Sequence, residues 1–419
     1  MDAGDVRRAG GLPGGAGPGG LPGGLEDTAV AAINGLTARW AGAAAGAAGG
    51  TAFSAVGLWP LLAFLGTAAH GPARAELAEA LGMSPDIAAL RARTLLDTLD
   101  AARGVSAVTG VWTSAALNLR EDWLARLPPG VSGRLTGDPA ADRAALDAWA
   151  ADGTRGLIPA FPLSLDPRAC MVLASALTVE TTWRQPFEPA QAVPAAGPWT
   201  GRRDLAALTR TGTDLDQVRV APTPHGPLTV LEVRGNNGID VHLLLGEVGA
   251  RPATVLRAGI EVLAGTYPQL PGSALPLGTR APGVTVELAP SWSPDALLHT
   301  TTFAFTVRAD HDLLARPQLF GLATATDRRT GHFPGISDVP LAVGQAGQTM
   351  TASFSADGFV AAAVTAVSMM VGAALPPARA KHVSVDFDRP FGFLAVHRRT
   401  GLVLTAGWVT EPETAKPGW

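Results

Sequence analysis

Cysteine, tyrosine and charge are all scarce in this chain of 419 residues. Cys170 is the only cysteine, so an intrachain disulfide and a multi-cysteine zinc site are excluded. It lies in the apolar run CMVLASAL, which predicts a buried, inert thiol. Charged residues make up only 16% of the chain and the formal net charge is −4, so there is no basic footprint for nucleic acid. No apolar run reaches the roughly 20 residues of a membrane span, so no membrane partner is expected. None of the eight histidines lies at metal-ligand spacing from another. The chain holds no G-x-S-x-G elbow, no phosphate-binding loop and no dinucleotide glycine fingerprint. No metal and no cofactor are expected.

What is present is apolar and small. Hydrophobic residues reach 47%, with 50 glycines and 34 prolines. The mean hydropathy is +0.20, which fits a globular chain long enough to bury a substantial core. Residues 1–25 are rich in glycine and proline and are expected to form a disordered tail. Two arginines in that tail lack an apolar stretch behind them, so a cytoplasmic location is expected unless a signal was removed. Residues 26–419 read as a single domain. Helical patterns cover Thr28–Ala44, Leu58–Leu65, Ala73–Leu81, Ser84–Ala102, Glu121–Leu127 and Asp138–Gly153. From Ala169 to Trp183 a long β-like run follows. Short strands then alternate with turn signals, broken by one helix at Ala253–Leu263, and end in a hairpin at Phe391–Arg398 and Leu402–Val409. Helices first and strands later indicate α+β, with helices packed on a large, mostly antiparallel sheet.

Several segments carry a family resemblance in the right order. They are FSAVGLWPLLAFLGTAAHGPARAELAEALGM, DAWAADGTRGLIPAF, VLASALTVETTWRQPFEP, the segment ending HFPGIS, and DFDRPFGFLAVHRRTGLVLTAGWVTEP. Together with SADGFVAAAVTAVSMM, they resemble the serpins (serine protease inhibitors) from about residue 28 to 413. The Ala, Gly, Pro and Arg bias fits a high-GC genome and a divergent bacterial member. The resemblance implies an exposed reactive-centre-type loop at about 356–382. Its hinge would comprise Gly358, Phe359, Val360, Ala361, Ala362 and Ala363. A target protease would cut near Met370, Val371, Gly372 and Ala373, which suits an elastase- or subtilisin-like pocket. Trp183 would cap one end of the large sheet, and Ser175 and Gln348 would lie where its strands must part.

Three departures from the family pattern bear on function. Phe359 stands where a small residue must enter the sheet first, and overpacking of about 1–3 kcal/mol is expected there. On the insertion barrier, that slows insertion roughly 5- to 200-fold. Ala356 and Ala304 stand where the family usually has a Glu and a Lys. Gly57 replaces the serine of a hydrogen-bonded cluster, leaving Ser175 and Gln348 to bond each other. Outside these features, His242 in the strand VHLLL reads as a strand-face histidine with a catalytic base as the alternative. Asp310, His311 and Asp312 are adjacent on a strand and point to opposite faces, so they form no triad. The Pro/Gly/Ser-rich stretch Tyr267–Thr302 is longer than the corresponding serpin connection, and reads as a surface insertion or as a lid or partner loop.

Three functions stay open. One is a non-inhibitory serpin that binds a small molecule or protein partner. By analogy with hormone-carrying serpins its pocket would be lined by Asn34, Arg39, Arg257 and His397. The second is a suicide inhibitor of a serine protease. The third is a serpin scaffold adapted as an enzyme on a small molecule, for which no catalytic constellation is recognisable. A monomer is expected in each case.

Overall fold

The elements follow from where the apolar residues fall. The computed structural model describes residues 25–44, 50–161, 164–166, 168–359 and 378–415. Helix α1 (Asp27–Ala44) leads through β1 (Thr51–Phe53) to α2 (Ala55–Ala68), α3 (Gly71–Leu81) and α4 (Pro85–Ala101). Then come β2 (Val105–Ser114), a one-turn helix α5 (Glu121–Leu124), β3 (Ser132–Leu135) and α6 (Pro139–Gly153). Strands β4 (Met171–Val179), β5 (Thr181–Thr182), β6 (Glu188–Ala190) and β7 (Ala207–Gly212) precede a meander of β8 (Val218–Thr223), β9 (Gly226–Arg234) and β10 (Ile239–Leu245). Helix α7 (Pro252–Leu263) is followed by β11 (Leu270–Pro271), β12 (Arg280–Ala281), β13 (Val284–Ser291), β14 (Leu297–Phe303) and β15 (Phe305–Asp312). The chain closes with β16 (Gln345–Phe354), β17 (Gly358–Phe359), β18 (Ala378–Asp386), β19 (Phe391–His397) and β20 (Leu402–Val409). This is the expected α+β architecture.

The strands form three sheets. The large one runs β3-β2-β4-β16, with β15 on the outer side of β16 and β17 and β5 at one end. A second runs β1-β20-β19-β10-β9-β8-β11, and a third β12-β13-β18-β14-β7-β6. Strand β4 is buried along its whole length because both of its faces are covered. Met171, Leu173, Leu177 and Val179 join the main core, while Val172, Ala174 and Ala176 meet the layer that holds α6. That explains a continuous apolar run in place of alternation. Helix α2 is buried on almost every side for the same reason. Helix α6 starts where Asp138 accepts from the Ala140 and Ala141 N–H groups at 2.9 and 3.2 Å, with Pro139 in the first turn. Gly82, at φ +71°, ends α3 in the left-handed conformation.

Several expectations need correction. The helix expected over Glu121–Leu127 stops at Leu124. The strand expected at Phe303–Val307 breaks at Ala304, which donates to the Ala206 carbonyl at 2.9 Å as the chain passes from the third sheet to the large one. The loop expected to reach residue 382 ends earlier, since Ala378–Asp386 is a strand. Cys170 is exposed, because the buried run begins one residue later at Met171. The expected tail lies outside the described residues, apart from Leu25, which is buried.

The hairpin β19–β20 is fixed by an ion pair between its turn and β10. Arg398 Nε donates to Asp240 Oδ2 at 2.6 Å, and its Nη2 reaches Asp240 Oδ1. Asp240 is only 2% exposed and also accepts from the Gly235 N–H at 3.0 Å. Arg398→Met strands this carboxylate without its cation. Urea denaturation should show a loss of about 3–5 kcal/mol, with much of it recovered in Arg398→Met/Asp240→Leu.

Candidate functional site

The candidate site begins where β4 and β16 run side by side. They pair directly and in parallel, from Val172 opposite Gln345 to Leu177 opposite Met350. Gln348 lies midway and is fully buried. Its Oε1 accepts from the Ser54 N–H at 2.8 Å. Its Nε2 donates to the Ser54 carbonyl at 2.8 Å and to Ser175 Oγ at 3.2 Å. Both amide donors are therefore used, and one side chain bolts β16 to β4 and to the start of α2. A Cβ at Gly57 would lie 2.4 Å from Ser175 Oγ, so the missing side chain leaves the room that Ser175 fills. Ser54 was missed in the sequence, although a serine before an apolar helix is an N-cap signal.

Beyond β16 the chain reverses at Ser355–Asp357 and returns as β17. Trp183 covers this turn. Its ring lies 4.8 Å from that of Phe354, its Nε1 donates to the Ser355 carbonyl at 2.9 Å, and its backbone N–H to the Asp357 carbonyl at 2.9 Å. The Phe187 N–H donates to the Ala356 carbonyl at 2.8 Å, and the Ser355 N–H to the Gly358 carbonyl at 2.9 Å. Gly358 passes so close to β5 that a Cβ would meet the Thr181 carbonyl at 2.2 Å. Phe359 follows, opposite Phe354 on one side and Thr181 on the other. It is 1% exposed, with its ring 5.9 Å from that of Phe393.

The seat of Phe359 changes the expectation of an overpacking barrier at this residue. Direct β4–β16 pairing stops at Leu177 and Met350, and Gly358 and Phe359 lie beyond that point between β16 and β5. The ring is already inside the core before any further strand is added. Val360, Ala361, Ala362 and Ala363, and the cleavage region Met370, Val371, Gly372 and Ala373, lie outside the described residues. Ala304 is buried and Ala356 packs partly buried against the core, so neither brings a charge to this end of the sheet.

A second feature lies between α1 and α7. Asn34, Arg39 and Arg257 come together there on a cleft of about 370 Å³, with Ala31, Ala38 and Ile260 as apolar wall. Asn34 also ties down the hairpin: its Nδ2 donates to the Gly401 carbonyl and its Oδ1 accepts from the Val403 N–H, both at 2.9 Å. Arg39 donates to the Ala80 carbonyl at 2.6 Å. Burial pulls its pKa down, partly offset by Glu79. Arg257 stands at the rim, paired with Glu261 at 2.9 Å, and Tyr267 Oη donates to the same carboxylate at 2.9 Å. His397 does not line the cleft. Its Nδ1 lies 2.9 Å from Thr400 Oγ1 in the hairpin turn. Glu261 was missed, although its i,i+4 spacing from Arg257 was readable as a helical pair.

The remaining candidates form no reactive group. His242 is buried and its Nδ1 has no partner among the described residues. Burial pushes its pKa down, with Glu232 and Asp240 acting in the opposite direction. His311 packs against Trp40, with Nε2 2.8 Å from the Ala52 carbonyl, while Asp310 accepts from Thr349 at 3.0 Å. These two neighbours thus engage different partners. Among the described residues, no group of three His, Cys, Asp or Glu side chains converges on a metal position, and no helix is long and apolar enough to cross a membrane.

A comparison with curated proteins finds no match by sequence. Among solved structures, human thyroxine-binding globulin in complex with thyroxine superposes with a TM-score of 0.69 at 16% identity, covering 93% of this chain and 99% of that one. Native protease nexin-1 with heparin gives 0.68 at 16% identity, covering 93% and 100%. Serpin48 of the insect Tenebrio molitor gives 0.68 at 16%, covering 92% and 98%. These likenesses concern the fold. The family model described as Serpin (serine protease inhibitor) matches residues 36–196 and 304–412, so this chain belongs to the serpin family.

Proposed function

We propose that this serpin is non-inhibitory and binds a small amphiphilic anion in the cleft between α1 and α7. The observation that carries the reading is the make-up of that cleft. Arg39 lines the cleft together with the apolar Ala31, Ala38 and Ile260, while Arg257 and Glu261 pair at the rim. A concave, mostly apolar site with a few convergent polar groups is the usual form of a ligand pocket. Thyroxine-binding globulin, a protein of the same fold, was solved with thyroxine bound. That parallel is one of fold alone.

The seam supports the non-inhibitory part. Adding a strand between β4 and β16 must break their direct pairing and the Gln348–Ser175 bond. Phe359 is buried before that step, so its burial adds nothing to the drive for it. The second reading, a suicide inhibitor of an elastase- or subtilisin-like protease, also has an observation in its favour. Gly358 and Phe359 already lie against β16 as the first residues of an added strand, and small residues follow at Ala361–Ala363.

Two measurements test these readings. Anilinonaphthalene sulfonate, used as an amphiphilic anionic probe, should bind saturably to one site. Arg39→Met should weaken it about tenfold, or about 1.4 kcal/mol. Ala38→Trp, which fills the cleft, should abolish binding. Unchanged affinity in both variants overturns the cleft reading. Phe359→Ala should lower the unfolding free energy in urea by about 3 kcal/mol, as for a buried ring. A change within about 0.5 kcal/mol, the size seen at exposed positions, would show that the ring is not seated in the core.

A further inference from the structure

The stretch Tyr267–Thr302 builds structure at a definite place. Its strand β13 lies antiparallel along β18, from Val284 opposite Val385 to Ser291 opposite Ala378. On its other side β18 runs parallel to β14, from Leu297 opposite His382 to Thr301 opposite Asp386. Strand β13 thus covers an edge of β18 that would otherwise be open. Side chains add to the ladder. Lys381 Nζ donates to the Gly272, Ser273 and Leu275 carbonyls at 3.2, 2.8 and 2.6 Å. Arg379 Nη2 donates to the Leu288 carbonyl at 2.7 Å. At the far end the Asp386 N–H donates to the Gly283 carbonyl at 2.8 Å, and a Cβ at Gly283 would come within 2.4 Å of the Asp386 carbonyl. The family model leaves residues 197–303 unmatched, and β13 falls within them.

Chain connectivity gives this strap a consequence. Residues 360–377 join β17 to β18. A strand continuing from Phe359 along the whole of β16 takes up residues to about 368, because Phe359 stands opposite Phe354 and β16 starts at Gln345. The nine steps from residue 359 to 368 cover about 30 Å. The ten steps from residue 368 back to Ala378 reach at most about 36 Å when fully extended. An intact chain that fills the seam therefore runs almost straight back along the sheet and has little slack before it pulls on β18. We propose that the inserted stretch, paired to β18 through β13 and held by Lys381 at Gly272–Leu275, is a strap that keeps β18 in the third sheet and so opposes addition of the uncleaved protein's own segment to the large sheet. This inference does not depend on the cleft between α1 and α7.

The test uses the full-length, uncleaved protein and Lys381→Met, with Arg379→Ala as a second variant in case the first fails to fold. Amide hydrogen exchange should show β18 as protected as β19 in the parent. In the variant, β18 should exchange at least tenfold faster, with β19 unchanged. Held warm below its melting point, the parent should keep a single urea transition, while the variant gains a second, more urea-resistant species. Rapid exchange of β18 in the parent, or unchanged exchange in both variants, overturns the strap. A loosened β18 with no urea-resistant species overturns its role as a lock.

Discussion

The direct pairing of β4 with β16 is the constraint on which the rest of this structure depends. Both strands are central; β4 is buried throughout, and β16 is buried at Ala346, Gly347, Gln348 and Met350 where they meet. Gln348 makes the seam specific, since its buried amide is spent on Ser54 and Ser175. Parting the strands breaks the bond from Gln348 to Ser175, and a buried polar group left unpaired costs about 1–3 kcal/mol. The hinge turn, the seat of Phe359 and the cover of Trp183 all lie just past the point where the seam ends.

Two ends of one segment are held in different ways. At the first, Phe359 is buried beside Phe354 and Phe393, and the turn before it is tied by backbone bonds to Trp183 and Phe187. At the second, β18 is gripped by strands on both sides. The first is a packing device and the second a ladder with side-chain anchors. The second, as proposed above, keeps the closed arrangement of the large sheet from opening in the intact chain. The cleft between α1 and α7 lies on elements other than those of the seam.

Much of the fold was legible in the sequence because its periodicity is strong. Strand β20 appeared with its observed bounds, and α1, α4 and α7 within a residue or so. The seam was legible in part: the Ser175–Gln348 bond was expected, and the room at Gly57 follows from it. Other features were hidden for physical reasons. The cost assigned to Phe359 assumed closed strands, whereas the β4–β16 pairing stops short of it, and pairing registers are not written in local sequence. Strand β18 was hidden inside a loop assignment because its partner, β13, lies in an insertion with no family pattern to read. Cys170 was placed one position too deep in an apolar run. His397 was grouped with the cleft by analogy and instead bonds within its own hairpin turn.

The account rests on the seam staying closed when the segment after Phe359 is cut. The most direct measurement is incubation of the intact protein with an elastase- or subtilisin-like serine protease, followed by a denaturing gel. The account predicts clean cleavage near Gly372 with the protease released and active. A covalent complex of protein and protease that survives denaturation would contradict it.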